Sequence, residues 1–174
     1  MAYIRGKEIC FSARIGGGSD KFNSLVDGSI TEITDKDLEG ISTLKSYVFS
    51  DCKNLTRATI PNSITKLPSS VFSGCTSLTS IYLPEGLTVI GTAAFSGCTS
   101  LESIVIPSTV TSIESNVFFI MYGKLTTITV LATTPPSLSN TMGWGGTIYI
   151  PKGTLSAYQG ATNWSALNLV ELES

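Results

Sequence analysis

Three copies of one seven-residue phrase stand at a fixed interval in the chain. They begin at Phe49, Phe72 and Phe95 and read FSDCKNL, FSGCTSL and FSGCTSL, so they recur with a 23-residue period. A period of this length is typical of solenoids, in which each unit buries its apolar side only by stacking on its neighbours. The period therefore predicts a stack of rungs in which equivalent side chains, including the three phenylalanines, lie one above another.

The spacing within one unit predicts its local structure. Apolar and outward-facing residues alternate from Ile81 to Leu83 as in a strand, and Pro84 then ends the strand because it cannot donate to a ladder. Before each Phe, apolar residues recur at every third or fourth position, which favours an extended stretch followed by a short helical turn. Gly74 and Gly97 can take a positive φ and close that turn. We therefore expect a parallel sheet on one side, short helical turns on the other and little helix.

Partial copies flank the regular ones. An earlier copy begins at Ile41, and a later copy begins at Val110, slips by one residue before Leu125 and lacks the cysteine. Divergent units at both ends are what capping of a solenoid requires. The pattern predicts about four rungs.

The repeat, I-P-x-x-[IVL]-T-x-[IL]-x-x-x-[AV]-F-S-G-C-T-S-L-T-S-I, resembles the BspA-like leucine-rich repeats of bacterial surface proteins over roughly residues 29–131. It differs from the commoner leucine-rich consensus in having Cys, and no Asn ladder, at the turn. The resemblance implies a β-rich solenoid of 23-residue rungs that binds proteins or cell surfaces and has no catalytic activity.

The composition of the flanks divides the chain into three parts. Residues 1–18 form an N-terminal attachment segment that ends in a glycine joint, residues 19–131 form the solenoid, and residues 132–174 form a C-terminal cap. In the cap, Thr154 is expected to cap a short helix. The open apolar end of the last rung is expected to be covered by Trp164, Leu167, Leu169, Val170 and Leu172.

Two short stretches near the N-terminus resemble segments that join such repeats in prophage and phage tail-region proteins of Gram-positive gut bacteria. They are Gly6–Arg14 and Leu25–Ile33. The resemblance implies that residues 1–15 contact other virion subunits. The first residues contain no apolar core of a secretory signal, so we expect a location on a virion or an extracellular surface that is reached without such a signal.

Bulk properties argue against several classes of function. The formal net charge is −2 with no basic run, so neither nucleic acid nor an anionic membrane surface is an expected partner. The sequence contains no run of 18 apolar residues, so membrane insertion is not predicted. The chain has no His, which argues against Ser–His or Cys–His catalysis and a zinc site, although Ser–Lys pairs stay open. Asp35, Asp37 and Glu39 begin like a calcium loop, but Ser46 stands where the bidentate Glu should be, so a solvated turn is favoured. We predict no catalytic residue, metal or cofactor.

Three of the four cysteines occupy the same repeat position, namely Cys52, Cys75 and Cys98. Stacked rungs lie roughly 4.8 Å apart with parallel side-chain directions, and parallel Cβ atoms are too far apart for a disulfide. All three are therefore expected to be small buried apolar side chains.

The candidate binding residues lie on the outward side of the predicted sheet. Two ladders are expected there, one of Arg57, Ser80, Ser103 and Thr127, and the other of Thr59, Tyr82, Val105 and Thr129. Tyr and Arg often anchor interfaces, although all eight side chains also suit an ordinary exposed sheet. Trp144, which stands among glycines, is a second candidate either as a contact tip or as part of the cap.

These observations favour a non-enzymatic module that recognises a cell-surface protein or glycan and is displayed on a phage virion or a bacterial surface. The alternative is a structural virion component, a decoration or tail-associated subunit, whose solenoid mediates assembly. Self-association into a homo-oligomer stays open.

Overall fold

The computed structural model describes residues 30–119, 124–140 and 145–173. Over these residues the chain forms a β-solenoid of about six turns, with parallel strands and few helices. The predicted solenoid is confirmed, whereas the count of about four rungs is too low. The predictions about residues 1–18 and Trp144 lie outside the described residues.

The strands form two faces of the solenoid. In chain order the elements are β1 (Glu32–Ile33), β2 (Arg57–Thr59), β3 (Lys66–Leu67), β4 (Ser80–Tyr82), β5 (Val89–Ile90), β6 (Ser103–Ile106), β7 (Ser112–Ile113), β8 (Thr127–Val130), β9 (Ser137–Leu138), β10 (Thr147–Ile150), α1 (Leu155–Gly160) and β11 (Asn168–Glu171). The first face, here called the strand face, carries the sheets β1-β2-β4 and β6-β8-β10-β11, and the second face carries β3-β5-β7-β9. Every pairing is parallel.

The third side, here called the turn face, is held by backbone bonds and stacked rings. The N–H groups of Phe49, Phe72 and Phe95 donate to carbonyls of the following rung at 3.0, 2.9 and 3.0 Å. The rings of these residues and Phe118 stack at centroid distances of 5.3 to 5.9 Å, nearly parallel to one another. The predicted row of phenylalanines is confirmed, and each rung from Phe49 to Phe95 is bonded to the next rung on the turn face.

Left-handed backbone residues shape each turn at two positions. Gly74 and Gly97 take φ values of 75° and 74° as predicted, and Asp51 takes 58° at the same place in its rung. A second column of positive φ, between 55° and 63°, has no glycine and consists of Tyr47, Ser70, Ala93 and Asn116. The sequence did not reveal this column because its four side chains share no chemistry.

The cysteine column behaves as predicted in two of its three members. The buried thiols of Cys75 and Cys98 donate to the carbonyls of Phe49 and Phe72 at 2.9 and 3.1 Å, and both thiols are free. Cys52 is also buried, but it is disulfide-bonded, so the prediction of a free thiol is wrong there. Cys52 stands in the first copy of the motif, where no earlier cysteine of the column stacks on it.

Threonine hydroxyls close the corners where one side of a rung meets the next. Each donates to the backbone carbonyl of the corresponding corner in the rung before it, at 2.8 to 3.2 Å. The pairs are Thr56 to Thr31, Thr79 to Thr56, Thr88 to Thr65, and Thr111 to Thr88. The 22 threonines of the chain therefore partly serve to satisfy carbonyls along the solenoid.

Two of the strands beyond the predicted rungs lie in the C-terminal part of the chain, where the spacing changes. Thr147 pairs with Thr127, and Asn168 pairs in turn with Thr147, so both steps are shorter than the regular period. Strands β10 and β11 thus continue the parallel sheet of the strand face, although they do not follow the 23-residue period.

The segment between β10 and β11 adds two large aromatic side chains to the core. The rings of Tyr158 and Trp164 meet edge to face at 4.9 Å, and they donate to the carbonyls of Ala132 and Pro136, both at 2.7 Å. The predicted helix is present as α1, but Thr154 makes no side-chain bond to its N-terminus and donates to Pro151 instead. Trp164 is fully buried in the core, whereas Val170 points outward and is 40% exposed.

Candidate binding face

The strand face places the eight predicted binding residues in two parallel columns. Arg57 pairs with Ser80 and Thr59 with Tyr82 across β2 and β4. On β6 and β8, Ser103 pairs with Thr127, and Val105 with Thr129. Neighbouring side chains of one column are therefore roughly 4.8 Å apart wherever the strands are paired. Their role in binding stays a prediction.

Both columns are longer than the sequence indicated. The first, here called the polar column, also includes Glu32, Thr147 and Asn168, and the second, here called the apolar column, also includes Tyr149 and Val170. The signal for the last members was present, because residues 147–150 alternate as in a strand, but the altered spacing had assigned them to the cap.

Exposure distinguishes the apolar column from the rest of the surface. Tyr82 is 56% exposed, Val105 52% and Val170 40%. Within the described residues, the other large apolar side chains with comparable exposure are Tyr47 and Phe119, which lie on the turn face. Three of these five exposed apolar side chains therefore lie on the strand face.

The sheet of the strand face is interrupted between β4 and β6. In the described part of the chain, β4 pairs with β2 but not with β6, while β6 pairs with β8. The inward residue of β4, Ile81, is only partly buried, whereas Ala58 and Ile104 on the flanking strands are each 3% exposed. The interruption therefore brings part of the core to the surface.

A shallow depression of about 470 Å³ lies at this interruption. Its apolar lining includes Ile81, Tyr82, Val105, Pro107 and Leu131. Its charged lining consists of Glu32, Arg57 and Glu85. The depression thus joins the polar and apolar columns in one concave site.

A second depression, of about 380 Å³, lies beside β3 on the second face. Pro68, in its lining, has no N–H to give to the preceding rung, whereas Gly91 at the equivalent position donates to Leu67 at 2.8 Å. Glu114, also in the lining, already accepts bonds from the backbone and hydroxyl of Thr92 at 2.8 Å. Since none of its lining residues is a strongly exposed apolar side chain, this depression is the weaker candidate for a binding site.

Among the titratable groups of the described ranges, two buried cysteines have raised pKa values. Burial raises the pKa of Cys75 to about 12 and that of Cys98 well above its usual value, so both thiols stay protonated and unreactive. Asp37 accepts bonds from the backbone and hydroxyl of Thr34 at 2.8 and 2.6 Å, which stabilises its turn. Among the residues described, His, Cys, Asp and Glu form no cluster suited to a metal ion. In the same part of the chain, no helix has the length and apolar content needed to cross a membrane.

The family model for the BspA type leucine-rich repeat region, in six copies, matches residues 21–136. The chain belongs to this family. The match confirms the resemblance seen in the repeat.

Solved structures of similar fold come from several bacteria. A leucine-rich repeat protein of T. pallidum is 29% identical, with a TM-score of 0.55 over 74% of this chain and 61% of its own. A leucine-rich cell surface protein of Faecalibacterium prausnitzii is 23% identical, with a TM-score of 0.55 over 82% of this chain and 32% of its own. The pneumococcal vaccine antigen PcpA is 16% identical, with a TM-score of 0.58 over 76% of this chain and 40% of its own.

The chain thus spans from about a third to about three fifths of the length of these proteins. The likenesses to the F. prausnitzii protein and to PcpA are distant in sequence and show the fold alone. A search of curated proteins finds no significant match.

Proposed function

We propose that the chain is a non-enzymatic binding or adhesion module that recognises a cell-surface protein or glycan with its strand face. The observation that carries this proposal is the apolar column, in which Tyr82, Val105 and Val170 stay exposed on a rigid sheet. Scattered exposed apolar residues are ordinary, whereas residues aligned on one face and rimmed by polar groups are typical of interaction sites.

Rigidity of the scaffold supports the same proposal. Apart from the interruption between β4 and β6, the described rungs are hydrogen-bonded to their neighbours through strands, turns and corner hydroxyls. A backbone held in this way loses little conformational freedom on binding, which lowers the entropic cost of association. A flat ladder of small side chains around Tyr82 also leaves room for a large partner.

We further propose display on a phage virion or a bacterial surface, with residues 1–15 attaching the module to other subunits and residues 132–174 acting as its C-terminal cap. The resemblance of Gly6–Arg14 and Leu25–Ile33 to joining segments of phage tail-region proteins supports the virion. The F. prausnitzii protein of similar fold is described as a cell surface protein, which supports surface display.

The alternative function is that of a structural virion component, a decoration or tail-associated subunit. The same N-terminal resemblance favours it. In that case the strand face binds another copy or another subunit of the assembly, and the apolar column is buried once the particle is complete.

Cell binding by matched variants tests the proposal. The chain is labelled with a fluorophore and its binding to Gram-positive gut bacteria and to epithelial cells is measured by flow cytometry. Tyr82→Thr with Val105→Thr converts the column to the residue already present at Thr59 and Thr129. The control, Tyr47→Ser, removes a tyrosine of similar exposure from the turn face and places there the residue found at Ser70.

We expect the double variant to lose at least about tenfold in affinity, since exposed aromatic anchors commonly contribute more than 1.4 kcal/mol, and the control to bind as the unaltered chain does. Equal losses in both variants, or no binding by the unaltered chain, contradict the proposed recognition. Sedimentation equilibrium distinguishes the alternative: a structural role predicts an oligomer that the double variant, but not the control, dissociates.

A further inference from the structure

The interruption between β4 and β6 coincides with a departure from the repeat in the sequence. At this corner of three other rungs, Thr56 and Thr79 each donate a hydroxyl and a backbone N–H to the carbonyl of the preceding corner, and Thr126 donates likewise to Glu102. Glu102 occupies the same position in the fourth rung. A carboxylate has no proton to donate, and among the described residues the backbone N–H of Glu102 makes no bond to the carbonyl of Thr79.

The opening at Glu102 affects one side of that residue only. Its own carbonyl accepts the backbone N–H of Thr126 at 3.0 Å, so the ladder resumes at once toward β8. The result is a single gap within an otherwise bonded strand face, as far as the described residues extend, with Ile81 reaching the surface at its floor.

We infer that this gap, here called the seam, is a docking pocket for one large apolar side chain of a partner protein, with a basic residue of the partner beside it. The inference rests on the proposed binding function and names its partner class. The depression of about 470 Å³ falls within the size range of ligand pockets. It is ample for a single side chain from a partner's surface.

The chemistry of the seam favours an apolar anchor. Its floor and walls are mainly aliphatic, from Ile81, Leu83, Val105 and Pro107. Buried apolar anchors in a pocket with a polar rim are the usual energetic centre of protein interfaces. A glycan is less suited, because among the described lining residues Tyr82 alone offers an aromatic ring on which a sugar can stack.

The charges around the seam favour a basic neighbour for that anchor. Glu32 and Glu85 line it, and Glu102 is exposed at the corner before β6, against one guanidinium from Arg57. Glu85 accepts a hydrogen bond from the hydroxyl of Ser108 at 3.1 Å and stays exposed. The surplus of carboxylates attracts a cation and repels an acidic partner, which gives orientation and selectivity.

Methyl NMR tests the seam directly. The full chain is prepared with labelled Ile, Leu and Val methyl groups and titrated with four probes: acetyl-Phe-Lys-amide, acetyl-Phe-Glu-amide, acetyl-Gly-Lys-amide and the trisaccharide of N-acetylglucosamine. We expect the Phe-Lys probe to shift the methyls of Ile81 and Val105, and not those of the fully buried Ile106 and Ile128. The Phe-Glu probe should bind several-fold more weakly, and the Gly-Lys probe and the sugar should cause no shift.

Two substitutions of Glu102 distinguish the effect of the open gap on probe binding from the effect of the negative charge. Glu102→Thr restores the corner hydroxyl found in the neighbouring rungs, so it should join β4 to β6, bury Ile81 and abolish the shifts. Glu102→Ala removes the same charge without adding a donor, so it should keep the seam open and retain the shifts with a smaller difference between the Lys and Glu probes. Amide hydrogen exchange across β4 and β6 verifies that the first substitution closes the sheet.

The inference is overturned if the Phe-Lys probe leaves Ile81 unmoved in the unaltered chain, or if shifts persist in a Glu102→Thr variant whose amides show a closed sheet. Shifts caused by the sugar alone overturn the protein anchor while leaving recognition by the strand face intact. Loss of cell binding in the Tyr82 and Val105 double variant without any effect of Glu102→Thr would likewise overturn the inference about the seam and leave recognition by the strand face intact. Failure of cell binding by the unaltered chain contradicts the proposed function instead.

Discussion

The turn face and the strand face of the solenoid are built from the same repeat but obey it to different degrees. On the turn face, every rung from Phe49 to Phe118 carries the same stacked ring, and the columns of positive φ recur at 23-residue intervals. On the strand face the outward positions vary from Arg to Val to Asn, and the sheet is broken once within the described residues.

The difference shows where the fold leaves freedom to the sequence. The turn face must fit rings and left-handed backbone into a small space between rungs, so few residues are tolerated there. The outward side chains of the strand face contact solvent, and their replacement changes little in the packing. Function can therefore vary on the strand face while the turn face maintains the stack.

The largest effect should come from removing a ring at the centre of the turn face. Phe72→Ala deletes a fully buried side chain that stacks on both Phe49 and Phe95. We expect the free energy of unfolding, measured by urea denaturation, to fall by about 3–5 kcal/mol. Tyr82→Thr, on the strand face, should change it by less than about 0.5 kcal/mol. Similar losses for both variants would remove the contrast between the faces.

A smaller effect should follow from adding one methyl group where two rungs approach closely. A Cβ at Gly91 would lie 2.6 Å from the carbonyl oxygen of Leu67, against backbone that has little room to move. We expect Gly91→Ala to cost about 1–3 kcal/mol through overpacking, as measured by thermal denaturation. The control is Gly160→Ala, because a Cβ there meets nothing within 4 Å. A neutral Gly91→Ala would show that the rungs can separate without cost.

The smallest effect on stability should appear only at alkaline pH. The pKa of Cys75 rises from 9.0 to about 12 on burial, and that of Cys98 rises in the same direction. Because the folded pKa exceeds the unfolded one, the stability from these protonated thiols is full below pH 9 and is lost as the pH rises toward 12. Burial raises the pKa of Tyr158 from 10.0 to about 12, with the same sign.

Urea denaturation at several pH values between 7 and 11 measures this dependence. We expect the unaltered chain to keep its stability to about pH 9 and to lose it above, and Cys98→Ala to lose it less steeply. Identical slopes for the two proteins would mean that the thiol of Cys98 ionises in the folded chain as easily as in the unfolded one.

Features repeated by identical residues could be predicted from the sequence. The phenylalanine row, the parallel strands, the positive φ of Gly74 and the two outward columns all follow from one period and the chemistry of the residues that recur. The free, buried state of Cys75 and Cys98 follows as well, because parallel side chains on neighbouring rungs cannot reach each other.

Features that depend on a change in the period could not be predicted from the sequence. The rungs of β10 and β11 were missed because their spacing shortens, although their strands pair as the others do. The seam lies beside a single carboxylate, Glu102, at a corner where Thr31, Thr56, Thr79 and Thr126 stand in other rungs, and the missing hydrogen bond of that corner is visible only in the structure. The disulfide of Cys52 was missed because the argument for stacked cysteines does not apply to the first of the column.

Each rung contacts only its two neighbours, and this has a mechanical consequence. A force that pulls the two ends of the solenoid apart acts on one terminal rung at a time, as in opening a zipper, and each released rung lengthens the tether by up to about 75–80 Å. A force directed along the strands must instead break many bonds together. A solenoid of this shape would therefore unfold stepwise under a force along its axis and resist a force directed along its strands.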